Sequence, residues 1–334
     1  MCNVMSEING FEKNGNIYRL LSSKSSKKYY KTFYDYLISN AKEVGQDQPF
    51  YVFDLADILY KTQLWYERFP NVFPYYAVKA NADPVLVRLF ALLGYGFDCS
   101  TEGEIRALKY ASSVGVDLMT FDSKEELHKI SNDYPTARLV IRIKSKSPQN
   151  VYNLSKKFGC DVSEAEDLLL QAKALNLNVV GVSFHVGGLC DDPKVYTSTI
   201  DNARLVFDAA QQLGYKFTIM DIGAGFFGSE EREDFFYELS QEINSSLEKN
   251  FPGGNVEFIA EPGCYCVASA ASLVTSIIGK KSVPSSGESG IQREYFLNDG
   301  FYQSFFEHHD IYDVKPYPVL QITVPLNFFK VEPR

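Results

Sequence analysis

A lysine closes an apolar run in the segment Tyr75-Tyr76-Ala77-Val78-Lys79-Ala80-Asn81. If that run is a strand of a parallel barrel, Lys79 stands at its carboxyl end, where such barrels carry catalytic groups. A strand end desolvates the amine, which is what a nucleophile toward an aldehyde requires. A strand-end lysine that points to solvent fits the same pattern, so position alone leaves both readings open. Two further residues could do chemistry: His185 in Ser183-Phe184-His185-Val186-Gly187, and Glu261 in Ala260-Glu261-Pro262-Gly263. Taken singly, a histidine on an apolar strand reads as a hydrogen-bonded core residue, and a glutamate before proline as a turn residue.

The elements that would position these residues follow from hydrophobic periodicity. From about residue 49, short apolar runs rich in β-branched and aromatic residues alternate with amphipathic stretches of helical period, the pattern of βα units and a parallel sheet. Strands are expected at 75–78, 96–99, 117–121, 138–143, 179–186, 218–222 and 256–260. Helices are expected at 84–93, 102–111, 123–132, 163–175, 193–213 and 233–250. Asp83-Pro84 and Asp192-Pro193 each put an N-cap residue before a proline that a first helical turn accepts. Seven strands fall one short of a closed (β/α)8 barrel, and the shortest connection lies at 102–116. Either a βα unit is missing there or an eighth strand lies elsewhere, with 51–55 as the candidate. After Ala260 the pattern changes to an apolar run at 265–278, a Ser/Gly-rich break at 282–290 and a further apolar stretch at 295–297. A barrel that hands over to an all-β segment has this form. The last residues, 322–334, show neither turn chemistry nor partner strands.

Composition sets bounds on the partners. The chain has 334 residues, 45% of them hydrophobic, with a formal charge of −9, and Lys156-Lys157 and Lys280-Lys281 are pairs rather than basic patches. A nucleic-acid surface is not expected, because phosphate binding needs a local surplus of Lys and Arg. Residues 1–28 are polar with short apolar stretches, which fits neither a signal peptide nor a membrane span and points to the cytoplasm. The six cysteines, at Cys2, Cys99, Cys160, Cys190, Cys264 and Cys266, have no zinc-knuckle spacing and read as reduced thiols, with no metal site expected.

Taken in order, the lysine segment, Phe97-Asp98-Cys99-Ser100, the histidine segment, Asp221-Ile222-Gly223-Ala224-Gly225-Phe226 and the glutamate segment resemble the pyridoxal-phosphate decarboxylases of basic amino acids. Asn298-Asp299-Gly300-Phe301-Tyr302 and Val314-Lys315-Pro316 narrow the resemblance to the eukaryotic ornithine decarboxylase family, which includes the antizyme inhibitors. The likeness runs from about residue 48 to Gln321. It implies an α/β fold, a (β/α)8-type (TIM-like) barrel missing one βα unit and followed by a truncated C-terminal β-domain. The implied domains are an N-terminal segment at 1–48 that contributes to the β-domain, a pyridoxal-phosphate barrel at 49–280 and the β-domain at 281–334. It also implies homodimers with active sites at the subunit interface.

Carried residue by residue, the resemblance makes Lys79 the lysine that bonds the cofactor and His185 the residue stacked on its ring. Glu261 becomes the acid facing the pyridine nitrogen, where a carboxylate keeps the ring protonated as an electron sink. Asp98 and Glu104 match acidic positions near the lysine, and Asp310 matches the acid that receives the distal amine of ornithine. Gly223, Ala224 and Gly225 match the glycine run that holds the phosphate, and Gly188 stands where the family has a serine.

The departures weaken the phosphate cup. Ala224 puts a Cβ in the middle of the run, which costs about 1–2 kcal/mol if that residue needs a left-handed backbone. Cys264 replaces an arginine after Glu-Pro-Gly, and Asn153 replaces another before Leu-Ser-Xaa-Lys-Phe-Gly. The family's Trp-Gly-Pro-Xaa-Cys-Asp motif, which supplies a proton donor, has no counterpart before Arg334. The expectation is therefore an ornithine decarboxylase-like chain, converting ornithine or a related basic amino acid to its amine in polyamine biosynthesis in the family, but impaired or inactive as written. The alternative is a non-catalytic antizyme-binding regulator, because the region at 109–130 resembles the antizyme-binding element. A chain short of one barrel unit, with the run at 267–278 uncovered, is also expected to be poorly soluble.

Overall fold

The computed structural model describes residues 12–13, 16–17, 48–99, 115–145, 154–188, 190–284, 291–300 and 303–304. The chain divides into two compact units, one containing Asp54–Ala270 and the other containing Phe50–Phe53 and the strands that begin at Ala271.

The larger unit alternates strand and helix. After helix α1 (Leu55–Arg68) come β2 (Val72–Ala77), α2 (Pro84–Leu92), β3 (Gly96–Asp98), β4 (Leu118–Phe121) and α3 (Lys124–Asp133). They are followed by β5 (Arg138–Ile143), α4 (Val162–Ala174), β6 (Asn178–Phe184), α5 (Pro193–Gln212), β7 (Ile219–Asp221), α6 (Glu233–Asn250), β8 (Glu257–Ala260) and the short α7 (Cys264–Val267). The label β1 belongs to Phe50–Phe53 of the other unit.

The seven strands form one sheet in the order β3-β2-β8-β7-β6-β5-β4, with every pairing parallel. Chain order is kept around the sheet, and the last strand returns to the first through the register Phe258↔Val72. A parallel sheet that follows chain order and brings the last strand back beside the first has the strand order of a (β/α) barrel. Among the described residues no pairing joins β3 to β4, so the seam falls at the connection the sequence marked as short. The helix expected at 102–111 lies outside the described residues.

Local chemistry explains the helix starts. The Asp83 side chain accepts from the Val85 N–H at 2.9 Å ahead of Pro84, and Asp192 accepts from Lys194 N–H at 2.9 Å ahead of Pro193. Asp161 and Glu164 close a capping box at α4. Each such cap satisfies a backbone donor that the first turn leaves without a partner, contributing about 1 kcal/mol.

The core beneath the site is aromatic. Trp65 on α1 lies 4.8 Å from Phe69, 5.1 Å from Phe226 and 5.3 Å from Tyr265 between ring centroids, and Phe236 lies 4.6 Å from Tyr265. The Trp65 indole donates to the Val72 carbonyl at 3.0 Å. This cluster joins α1, α6 and α7 to the loop after β7. Lys61, 1% exposed, pairs with Glu233 at 3.0 Å and ties α1 to α6.

Helix α1 was not expected from the sequence. Lys61, Thr62 and Gln63 interrupt its apolar stripe, and the structure buries Lys61 and Thr62 in spite of their polarity. The eighth-strand candidate at 51–55 needs correction too. Phe50–Phe53 is a strand, but it pairs antiparallel with β9 (Ala271–Val274) in the second unit, and Asp54 already caps α1. The run at 267–278 is not left without strand partners. It splits into the end of α7, β9, and the start of β10 (Ile277–Pro284), which pairs antiparallel with β11 (Ile291–Leu297).

Candidate active site

Five strands that are consecutive in the sheet, β3-β2-β8-β7-β6, carry the site at their carboxyl ends. Asp98 is the last residue of β3, and Lys79 lies in a 3-10 turn (Val78–Ala80) directly after β2. Glu261 follows β8, Asp221 ends β7, and His185 follows β6. Residues more than 180 positions apart, Lys79 and Glu261, therefore come from adjacent strands.

Lys79 Nζ is 3.1 Å from Asp98 Oδ2, with the lysine side chain 53% exposed and the aspartate 21% exposed. The desolvated lysine expected from the strand-end position is thus not what the chain alone provides. A 3-10 turn beyond β2 carries the amine to the rim, where a carboxylate holds it instead of apolar walls.

His185 is fixed on both sides of its ring and backbone. Its Nδ1 accepts from the Gly187 N–H at 2.9 Å, and its carbonyl accepts from Ser145 Oγ at 3.0 Å. Burial first, then the charges of Arg142 and Lys79, push the imidazole down from its ordinary 6.5 to about 3. The ring is neutral at physiological pH, and with Nδ1 accepting, its proton is on Nε2.

Behind the lysine lies a carboxyl pair. Asp221 Oδ2 accepts from Ser183 Oγ at 3.0 Å, its Oδ1 accepts from Gly223 N–H at 2.8 Å, and Asp221 is also hydrogen-bonded to the Glu261 side chain. Burial, and then the negative charges of Asp221 and Asp98, hold the Glu261 carboxyl well above the usual range. Asp221 is raised as well, chiefly by burial, with its three hydrogen-bond partners pulling the other way. Two carboxyls in contact titrate as one unit, and each makes ionisation of the other harder.

The loop after β7 is shaped by two glycines. Gly223 has φ +65° and a Cβ there would lie 2.1 Å from the Phe184 carbonyl, while Gly225 has φ +121° and a Cβ would lie 2.7 Å from Tyr196 Oη. Ala224 between them is not left-handed; among the described residues Asn176 alone combines a side chain with positive φ. The strain expected at Ala224 is therefore absent, and its carbonyl accepts from Tyr196 Oη at 3.1 Å. Gly188 lies in the loop after His185, and Cys264 is exposed at the start of α7.

Lys79, Asp98, His185, Gly223, Ala224, Gly225 and Glu261 are thus gathered at one end of the barrel. Glu104, Asp310 and Asn153 lie outside the described residues. The sequence reading quoted Asp221 and Ser183 inside motifs without giving them a role, and it passed over Arg142. An acidic residue ending a strand two positions before a glycine was the available signal for Asp221. Among the described residues no group of three or more His, Cys, Asp and Glu could hold a metal ion, and no helix is long and apolar enough to cross a membrane.

The family model of the pyridoxal-dependent decarboxylases, pyridoxal binding domain, matches residues 55–108 and 105–268. The chain belongs to this decarboxylase family. It is 40% identical over 306 residues to ornithine decarboxylase of Mus musculus, covering 82% of this chain and 66% of that protein. It is 39% identical over 317 residues to antizyme inhibitor 2 of Xenopus laevis, covering 85% and 68%. Among solved structures it resembles the Paramecium bursaria Chlorella virus arginine decarboxylase bound to agmatine, with a TM-score of 0.75 and 31% identity over 82% of this chain and 78% of that one. The chain spans just under two thirds of the mouse decarboxylase's length. The matched residues span the strands and helices of the larger unit.

Proposed function

We propose that this chain is an ornithine decarboxylase-like enzyme core that binds pyridoxal 5'-phosphate and acts on a basic amino acid, with ornithine as substrate and putrescine as product. The observation that carries the reading is the row Asp98, Lys79, Glu261, Asp221 and His185 at the ends of five adjacent strands. The donor set fits the cofactor: an amine for its aldehyde, a neutral imidazole for a ring face, a proton-bearing carboxyl for the ring nitrogen, and the Gly223–Gly225 loop for its phosphate. Bound there, the cofactor supplies an electron sink for the carbanion left when carbon dioxide departs.

The chain's own residues prepare that chemistry. Asp98 holds the Lys79 amine at 3.1 Å until an aldehyde competes for it, and such a half-exposed ion pair is weak enough to exchange. The Gly187 N–H fixes the tautomer and orientation of His185, which therefore adds no positive charge beside the lysine. Glu261 holds a proton at its carboxyl. Ornithine as substrate is supported by the likeness to the mouse ornithine decarboxylase; a homodimeric assembly, a cytoplasmic setting and a place in polyamine synthesis rest on the sequence resemblance to the family.

Phosphate anchoring is the weak part. With Cys264, Gly188 and Asn153 where the family has arginine, serine and arginine, each lost charge-assisted bond lowers affinity by roughly 1.5–3 kcal/mol. Titrating the purified chain with pyridoxal phosphate and following carbon dioxide release from labelled ornithine, against Lys79→Ala, tests the reading. It fails if the chain takes up no cofactor at any concentration.

A second reading is supported by the 39% identity to an antizyme inhibitor and by the same altered phosphate positions. In it the chain binds antizyme without catalysis, through the region 109–130, which includes the part of α3 up to Ile130. Retention of antizyme by a chain that neither binds the cofactor nor releases carbon dioxide favours this alternative.

A further inference from the structure

Ser183, Asp221 and Glu261 come from three neighbouring strands, β6, β7 and β8, and meet below the lysine. Ser183 and Asp221 are each 3% exposed. Every oxygen of Asp221 is engaged: Oδ2 by Ser183 Oγ at 3.0 Å and Oδ1 by Gly223 N–H at 2.8 Å, with the Glu261 carboxyl hydrogen-bonded to the same group. The backbone repeats the connection, because Glu261 N–H donates to the Gly223 carbonyl at 2.7 Å. Asp221 is thus clamped to the glycine loop on one side and to the acid on the other. A carboxylate this buried and this fully bonded has no route to substrate, so any part it plays is played through Glu261.

We infer that Asp221 is a positioning residue: it fixes the Glu261 side chain and, by sharing one proton with it, keeps that acid protonated before the cofactor arrives. The inference rests on the decarboxylase reading and deepens it, since Glu261 faces the pyridine nitrogen in that reading. The proton that a ring nitrogen needs is then already on the protein. Were the cofactor bound, passing that proton across would break the Glu261 O–H bond and form a ring N–H bond, leaving Glu261 as the anion beside the ring cation. The Ser183 hydroxyl and Gly223 N–H remain on Asp221 throughout, so the second carboxylate keeps two donors. The other charged groups facing the pair are Asp98 at the end of β3 and Lys79 beyond β2, the first disfavouring and the second favouring ionisation of Glu261. His185 on β6 is neutral.

The test uses the cofactor-free full chain and its melting temperature between pH 4.5 and 8. A carboxyl pair that holds its proton more tightly when folded stabilises the protein at low pH, and that stabilisation is lost as pH rises through the pair's raised folded-state titration. Asp221→Asn and Glu261→Gln should each remove this contribution to the pH slope, and the double variant should remove no more than either alone. Ser183→Ala, a milder change, should move the loss to higher pH, because it deletes a donor to the ionised form. A merely structural Asp221 would lower the melting temperature equally at every pH; an unchanged slope in Asp221→Asn, or additive single effects, overturns the inference. In a parallel titration, Asp221→Asn should bind pyridoxal phosphate about tenfold more weakly than wild type, corresponding to one lost hydrogen bond at the acid. Absence of binding by the wild type would count against the decarboxylase reading, whereas the slope reports on Asp221 alone.

Discussion

Lys79 Nζ lies 3.1 Å from Asp98 Oδ2 across the adjacent strands β2 and β3, and the lysine side chain is half-exposed. The amine is held by a carboxylate at the barrel rim, where an incoming aldehyde can reach it. Lys79→Ala should abolish the visible absorbance of lysine-bound pyridoxal phosphate. Asp98→Asn should change stability by less than about 1 kcal/mol, since an ion pair this open to water contributes little. Absorbance spectra and denaturant melts of the two variants check both outcomes.

The wild-type chain should bind pyridoxal phosphate only above low-micromolar concentrations, and Cys264→Arg should tighten binding by about tenfold to a hundredfold. Cys264 is exposed directly after Gly263, so an arginine there meets no packed wall. Equilibrium titration by absorbance measures the change, and an affinity that does not move would show that position 264 makes no phosphate contact.

The glycine loop should respond unevenly. Ala224→Gly should leave cofactor affinity and melting temperature nearly unchanged, because Ala224 does not occupy the left-handed region. Gly225→Ala should destabilise by at least about 1–2 kcal/mol from backbone conformation alone, with a further clash against Tyr196 Oη and the Gly187 carbonyl. Thermal melts of the two variants decide it; equal effects would contradict the loop geometry.

His185 holds its proton far less tightly in the folded chain than an unfolded histidine does, near 3 against 6.5. Its neutral form therefore favours folding fully above pH 6.5, and that contribution is lost progressively as the pH falls toward 3. The difference in melting temperature between wild type and His185→Gln should shrink, or change sign, from pH 7 to pH 4. Taking the difference separates the histidine from the carboxyl pair, whose contribution runs the opposite way.

Trp65→Ala should cost about 3–5 kcal/mol, as truncation of a fully buried aromatic does. The tryptophan touches Phe69, Phe226 and Tyr265 and donates to the Val72 carbonyl, so its loss loosens α1 and the loop after β7 together. Chemical denaturation measures the first effect, and weakened cofactor binding reports the second.

Much of the barrel was legible before any coordinates. The seven strands, α6 and the aspartate caps of α2 and α5 follow from apolar periods and dipeptides such as Asp83-Pro84, because those signals act over a few residues of chain. The lysine, histidine and glutamate segments were legible in the same way, as types of residue at strand ends. Helix α1 was not, because its buried face includes Lys61, whose burial depends on Glu233, 172 residues further along. The strand at Phe50–Phe53 was offered as a candidate at 51–55, but its pairing was not legible, because its partner strand starts at Ala271. The state of the site was decided only by tertiary structure. Solvation of Lys79, the backbone at Ala224 and the raised carboxyls of Asp221 and Glu261 each depend on which distant groups the sheet brings alongside. Sequence specifies a residue's chemistry and its local backbone; burial and charge, which set what that chemistry does, arise when separate strands meet.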